Sequence, residues 1–91
     1  MTLSDKLEVP VEVMARQVGE ETVILHLESG TYYGLDPVGA RIWALILEGK
    51  SLAGVCEVML DEYDVVRQTL EEDVLRLVDE LEEKGLVRVS E

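Results

Sequence analysis

A chain of 91 residues supports one domain and leaves no room for a second core. Twenty acidic against eight basic side chains give a formal net charge of −12, which argues against phosphate backbones and anionic lipid surfaces as partners and favours basic peptides or basic protein faces. The same acidity also serves simply to keep a small domain soluble.

Hydrophobic residues make up 47% of the chain and Phe is absent, so the core is aliphatic. Cys56 is the single cysteine, which rules out an internal disulfide and fits a reducing compartment. The first residues, Met-Thr-Leu-Ser-Asp-Lys-Leu-Glu, lack an apolar signal core. No run reaches the roughly 18–20 apolar residues of a membrane span. The expectation is a soluble, cytoplasmic protein.

Residues 1–8 are polar and are expected to be flexible, with a single domain over 9–91. Val9, Val11 and Val13 alternate with Pro10, Glu12 and Met14 and predict a first strand. Pro10, which has no amide to donate, places it at an edge or at the strand start. After a turn at Gly19-Glu20, residues 22–27 predict a second strand with Val23, Leu25 and Leu27 on the core face and His26 on the opposite, surface side. Glu28-Ser29-Gly30 turns the chain into a third strand, Thr31 to Leu35, which completes an antiparallel meander.

Asp36 and Pro37 then read as N-cap and first residue of a helix over 37–48. The Asp oxygen accepts from amides of the first turn, and the amide missing from Pro would have had no partner there. Its apolar stripe is Val38, Ile42, Leu45 and Ile46, with Trp43 beside it, and Gly49 ends it. Ser51 caps a second helix over 52–60 with Leu52, Val55 and Met59 inward. Asp64 is expected to cap a third helix over 65–84, ended by Gly85, before a short strand at Leu86–Val89. On this third helix Val66, Leu70, Val74, Leu77 and Leu81 form one stripe. Leu75 and Val78 lie on a flank of it together with Glu71. That pair is either a second contact surface or packing against the sheet or the final strand.

No constellation for catalysis emerges. His26 is the only histidine and Cys56 has no histidine near it in sequence. The acidic clusters lack the order of a calcium loop. Gly49-Lys50-Ser51 is preceded by Ala44 where a phosphate-binding loop needs its first glycine. The reading is therefore not an enzyme, with no catalytic residue, no metal and no cofactor. Three helices and a hairpin also suggest a DNA-binding winged helix, but the first turns of the third helix set Arg67 against Glu71, Glu72 and Asp73, which removes the phosphate contacts such binding needs.

Thr31-Tyr32-Tyr33-x-Leu35-Asp36-x-x-Gly39-x-x-Ile42-Trp43-x-Leu45, followed by Gly49, by Val55 through Leu60 and Tyr63, and by Asp73-Val74-x-x-Leu77-x-x-x-Leu81-x-x-x-Gly85-Leu86, resembles the PqqD-like family of precursor-peptide recognition elements. The likeness spans residues 9–89, and its stand-alone short form resembles the leader-binding proteins of lasso-peptide pathways. Asp36 stands where the family often has Asn, and either residue caps a helix.

The resemblance implies an α+β, winged-helix-like fold in which a three-stranded antiparallel sheet precedes three helices. It also implies that the leader segment of a ribosomally made precursor adds as a strand beside the third strand, in the groove next to the third helix. The residues carried over are Thr31, Tyr32, Tyr33, Gly34 and Leu35 from the strand, and Glu71, Val74, Leu75, Val78 and Asp79 from the helix. Asp73 matches a family position whose role is left open between capping and pairing with Arg41 or Arg67. The implied partners are the precursor leader, a separate cysteine protease that removes it and a cyclase, with neither nucleic acid nor membrane. Alternatives are a chaperone for a radical enzyme in pyrroloquinoline-quinone synthesis, a winged-helix regulator, and an adaptor or dimerisation module.

Overall fold

A computed structural model of the protein describes residues 1–90; Glu91, the last residue of the expected domain, lies outside the described residues. The elements run β1 (Leu7–Glu8), β2 (Val13–Val18), β3 (Glu21–His26), β4 (Tyr32–Leu35), α1 (Pro37–Leu47), α2 (Leu52–Glu62), α3 (Arg67–Glu83) and β5 (Arg88–Val89). Strands β2, β3 and β4 form an antiparallel meander in that order, and β1 pairs with β5 in a separate two-stranded ribbon. The expected sheet followed by three helices is the architecture observed.

The helix boundaries follow from local chemistry. The Asp36 carboxylate accepts the Gly39 amide at 2.8 Å, and Pro37 opens α1. The Ser51 hydroxyl accepts the Gly54 amide at 3.1 Å at the start of α2. Gly49 and Gly85 follow α1 and α3 at φ of +87° and +74°, the left-handed conformation that ends a helix. The expected cap at Asp64 is not formed. Val66 occupies the N-cap position of α3 without a side-chain hydrogen bond, because residues 64–66 stay extended and the helix begins at Arg67.

One core holds these elements together. Ile24 of β3, Leu35 of β4, Ile42, Trp43, Leu45 and Ile46 of α1, Leu52, Val55, Cys56 and Met59 of α2, and Leu70, Val74, Val78 and Leu81 of α3 are all buried. Trp43 is inside, as its position beside the α1 stripe suggested, but its indole Nε1–H finds no acceptor among the described residues.

Four expectations are corrected. The first strand starts at Val13, not Val9, because the Pro10 carbonyl accepts the Val13 amide in a turn and leaves Val11 fully in solvent. The second strand is inverted: Thr22 and Ile24 face the core, whereas Val23 and Leu25 face outward and Leu27 is exposed. His26 consequently sits half-buried on the core side, near Gly85. The stripe of α3 is rotated, with Val78 in the core, Leu77 only half-buried and Val66 exposed.

The fourth correction concerns residues 1–8, which are tied down instead of loose. Leu7 is buried, the Leu3 and Asp5 carbonyls accept amides of Ala53 and Leu52, and the Ser90 amide donates to Lys6. A Leu7→Ala substitution therefore costs about 2–4 kcal/mol, measured by urea unfolding; a frayed terminus would leave the midpoint where it was.

Candidate functional site

Strand β4 pairs only with β3 among the described residues, so its other edge is open. The His26 amide donates to the Thr31 carbonyl at 2.9 Å. With the register Ile24 to Tyr33 and Thr22 to Leu35, this bond sets which residues of β4 bond inward. Thr31, Tyr33 and Leu35 turn their backbone groups to β3. Tyr32 and Gly34 turn their amides and carbonyls to the open edge. Gly34 is exposed, and nothing lies within 4 Å of where a Cβ would stand, so another backbone can approach closely there.

Below this edge lies a groove of about 360 Å³ lined by Tyr33, Gly34, Leu35, Asp36, Val38, Gly39, Ile42, Asp73 and Leu77. One wall is β4, the floor is the first turns of α1, and the other wall is α3. Gly39 lets the floor sit this high, since a Cβ on it would crowd Leu35 Cδ2 at 3.2 Å and Asp36 Oδ1 at 3.3 Å. At one end the groove is bridged. The Tyr33 hydroxyl donates to the Glu80 carboxylate at 2.5 Å, and Lys84 Nζ stands 5.9 Å from the centre of the Tyr33 ring.

The wall contributed by α3 is not the flank expected from the sequence. Asp73, Leu77, Glu80 and Lys84, spaced four, three and four residues apart, follow one side of the helix and face β4. Glu71 lies on the other side, where Arg67 bridges it at 3.6 Å to Glu57 of α2 at 2.9 Å. Leu75, one turn on from Glu71, shares that flank and packs half-buried on the core. Val74 and Val78 are both fully buried and offer nothing to a ligand. Asp79 is exposed on the solvent side of the helix. Of the nominated strand residues, Tyr33, Gly34 and Leu35 line the groove, Thr31 supplies its carbonyl to β3, and Tyr32 is 71% exposed on the outer face of the sheet. Sequence reasoning missed Leu77 by placing it in the core stripe, and missed Glu80 and Lys84 altogether. Asp73 pairs with Arg76 at 3.0 Å; Arg41 instead holds Glu62 and Arg67 holds Glu57.

A larger hollow, of about 590 Å³, lies between β2, α1 and Tyr63, and no residue of α3 lines it. Cys56 is buried, and that burial pushes its thiol up, away from a nucleophilic thiolate. The one grouping of metal-ligating types among the described residues is Glu12, His26 and Glu28, with ligand atoms within 4.8 Å of one another. It sits at the far turn, and His26 Nδ1 already accepts the Ser29 amide at 3.3 Å. No helix among the described residues is long and apolar enough to cross a membrane.

A winged-helix-like domain with an open strand edge above a half-apolar groove is built to hold an extended chain. The model of the family "Coenzyme PQQ synthesis protein D (PqqD)" matches residues 21–87, and the chain belongs to this family. Among solved structures it is similar to TbiB1 in complex with the TbiA(beta) leader peptide, with a TM-score of 0.85 and 38% identity over 89% of this chain and 94% of that one. It is similar also to a lasso peptide synthetase B1 complexed with the leader peptide, with a TM-score of 0.84 and 31% identity over 91% of this chain and 98% of that one. No curated protein sequence matches.

Donation to Glu80 raises the Tyr33 pKa above the ordinary tyrosine value of about 10, with burial and the Glu80 and Asp36 charges adding to it. The folded chain therefore holds this proton longer than the unfolded chain, so the stabilisation is full below the unfolded value and is lost as pH rises through the folded one. The difference in tyrosinate absorbance between the wild type and Tyr33→Phe is expected to report this late ionisation. In a Glu80→Ala background the same difference moves back toward about 10; an unmoved curve would deny the link across the groove.

Proposed function

We propose that this protein binds the leader segment of a ribosomally synthesised precursor peptide in lasso-peptide maturation. The leader adds as a strand to the open edge of β4 and is thereby delivered to a separate cysteine protease and a cyclase. The observation that carries the reading is the pairing of two features: Tyr32 and Gly34 present free backbone groups directly beside the groove between β4 and α3. Family membership and the likeness to two leader-bound structures support it.

The physics divides the work. Backbone hydrogen bonds along the edge supply affinity that tolerates many sequences, and the groove supplies selection through alternate side chains. Leu35, Val38, Ile42 and Leu77 offer the apolar surface, and Asp36, Asp73 and Glu80 outnumber Lys84 at the rim and leave it net negative. That rim favours a leader with basic side chains near its groove-facing residues. Exposed pairs of this kind contribute about 0–1 kcal/mol each and act more on specificity and on-rate than on affinity. The domain itself supplies position and not bond chemistry. Holding the leader raises the local concentration of the precursor at the enzymes that cut and close it.

Calorimetric titration with the leader segment of the precursor encoded nearby tests this. The expected result is a one-to-one complex weakened roughly tenfold or more by Leu77→Asp, whereas Leu75→Asp, on the α2 side, leaves binding within about twofold of the wild type. Equal binding by the wild type and Leu77→Asp would contradict the groove. Val78→Asp is not informative here, since it places a charge at a fully buried position.

A further inference from the structure

The face of β2 that looks toward α1 is left without cover. Ala15 stands opposite Ile24 and Gln17 opposite Thr22, so all four side chains share one face of the sheet. Ile24 and Thr22 are buried there, whereas Ala15 and Gln17 are exposed. The space beside them is the hollow of about 590 Å³. Its other wall is one stripe of α1, Pro37, Ala40, Arg41 and Ala44, with Leu47 at the end, 58% exposed. Trp43 lines it too. That side chain is 4% exposed and its Nε1–H has no acceptor among the described residues. A buried donor is rarely left so, and a carbonyl brought in by a ligand would satisfy it.

The hollow is continuous with the leader groove around the start of α1. Asp36, Val38 and Ile42 line the groove and Pro37, Ala40 and Ala44 line the hollow, so the two lie on either side of one helix. Both reach its first turn, at the end of the sheet where Thr22 pairs with Leu35. Each strand of this sheet is antiparallel to its neighbour, and antiparallel pairing is slightly the stronger kind. A leader added in that sense runs opposite to β4. The residues before its paired segment then leave past Leu35 and over Asp36 and Pro37, toward the hollow. From the added strand to β2 is three strand spacings, about 14 Å, which about four or five extended residues span.

Charge gives the chemistry of the segment. Arg41 is held by Glu62 at 2.6 Å, and Arg16 and Glu20 offset each other in the lining. The hollow is thus near neutral with largely apolar walls, unlike the net negative rim of the groove. It suits uncharged apolar side chains and backbone carbonyls, not the basic side chains that the groove rim favours.

We propose that the hollow between β2 and α1 is a second subsite for the leader, and that it receives an apolar, uncharged segment about four or five residues before the segment that pairs with β4. The inference rests on the leader-binding reading. With both subsites filled, the leader clasps α1 from two sides, and the domain reads two short stretches at a fixed spacing.

Trp43 is the one tryptophan of the chain, so a single indole N–H resonance of the isotope-labelled full chain reports on the hollow. The probes are the synthetic leader of the precursor encoded nearby and a series of the same peptide shortened from its N-terminus. The full leader is expected to move the Trp43 Nε1–H resonance together with the amides of Tyr32 and Gly34. Shortening up to the paired segment returns the Trp43 resonance to its free position, keeps the shifts at Tyr32 and Gly34, and weakens binding roughly tenfold. Ala15→Glu, at an exposed position of the wall, lowers affinity for the full leader by a similar factor and leaves the shortened peptide within about twofold of the wild type. A Trp43 resonance unmoved by a bound full leader, or an Ala15→Glu variant that binds the full leader as the wild type does, overturns the proposal and leaves strand addition at β4 standing. Loss of the Trp43 shift on shortening from the C-terminus also overturns it, since the leader then runs the other way. So does a peptide-free dimer in sedimentation that Ala15→Glu abolishes, since the hollow then belongs to a second copy. Failure of the full leader to bind at all sinks the leader-binding reading itself, and this subsite with it.

Discussion

The junction at which β4 becomes α1 is the constraint on which the rest depends. Leu35 ends the strand buried, Asp36 caps the helix through the Gly39 amide, and Gly39 has no side chain to hold the two apart. This tight turn brings α1 beneath β4 as a floor and fixes the tilt of the strand. It leaves the strand one partner, β3, and one open edge. Helix α3 then stands across the floor, linked to β4 by the hydrogen bond from Tyr33 to Glu80. Loosening the junction would fill or collapse the groove, since Leu35, Asp36 and Gly39 themselves line it.

An open edge is ordinarily a hazard, because it pairs with whatever extended chain it meets. Here the edge is only four residues long and lies in a negative surround, with Asp36, Asp73 and Glu80 close by. The strong acidity that first looked like a solubility device therefore has a local reading as well: it discourages self-pairing between copies and leaves the edge to a chain of opposite charge. The β2 side, by contrast, borders the larger hollow against α1 and Tyr63, which no residue of α3 lines.

Much of this was legible in the sequence, and the gaps have physical causes. Asp36-Pro37, Ser51, Gly49 and Gly85 mark helix ends through chemistry confined to a few neighbouring residues, and the expected caps and stops at these positions are those observed. The faces were harder. Strand β3 is apolar on both sides, so Val23 and Leu25 satisfy a period of two as well as Ile24 does, and only the packing of α1 decides which side is core. Helix α3 carries Leu77 and Val78 side by side, and either completes a stripe with Leu70, Val74 and Leu81. The structure takes Val78 into the core and thereby frees Leu77 for the groove. The tie between β1 and β5 joins residues some eighty apart and left no local trace.

Amide hydrogen exchange on the free protein and on its leader complex tests the central claim most directly. In the free protein the amides of Tyr32 and Gly34 face solvent at the open edge and exchange fast, while those of Tyr33 and Leu35 are protected by β3. The account predicts that the leader slows exchange at Tyr32 and Gly34 selectively. Protection appearing on the β2 edge instead, or leader binding with Tyr32 and Gly34 still exchanging freely, would contradict strand addition at β4.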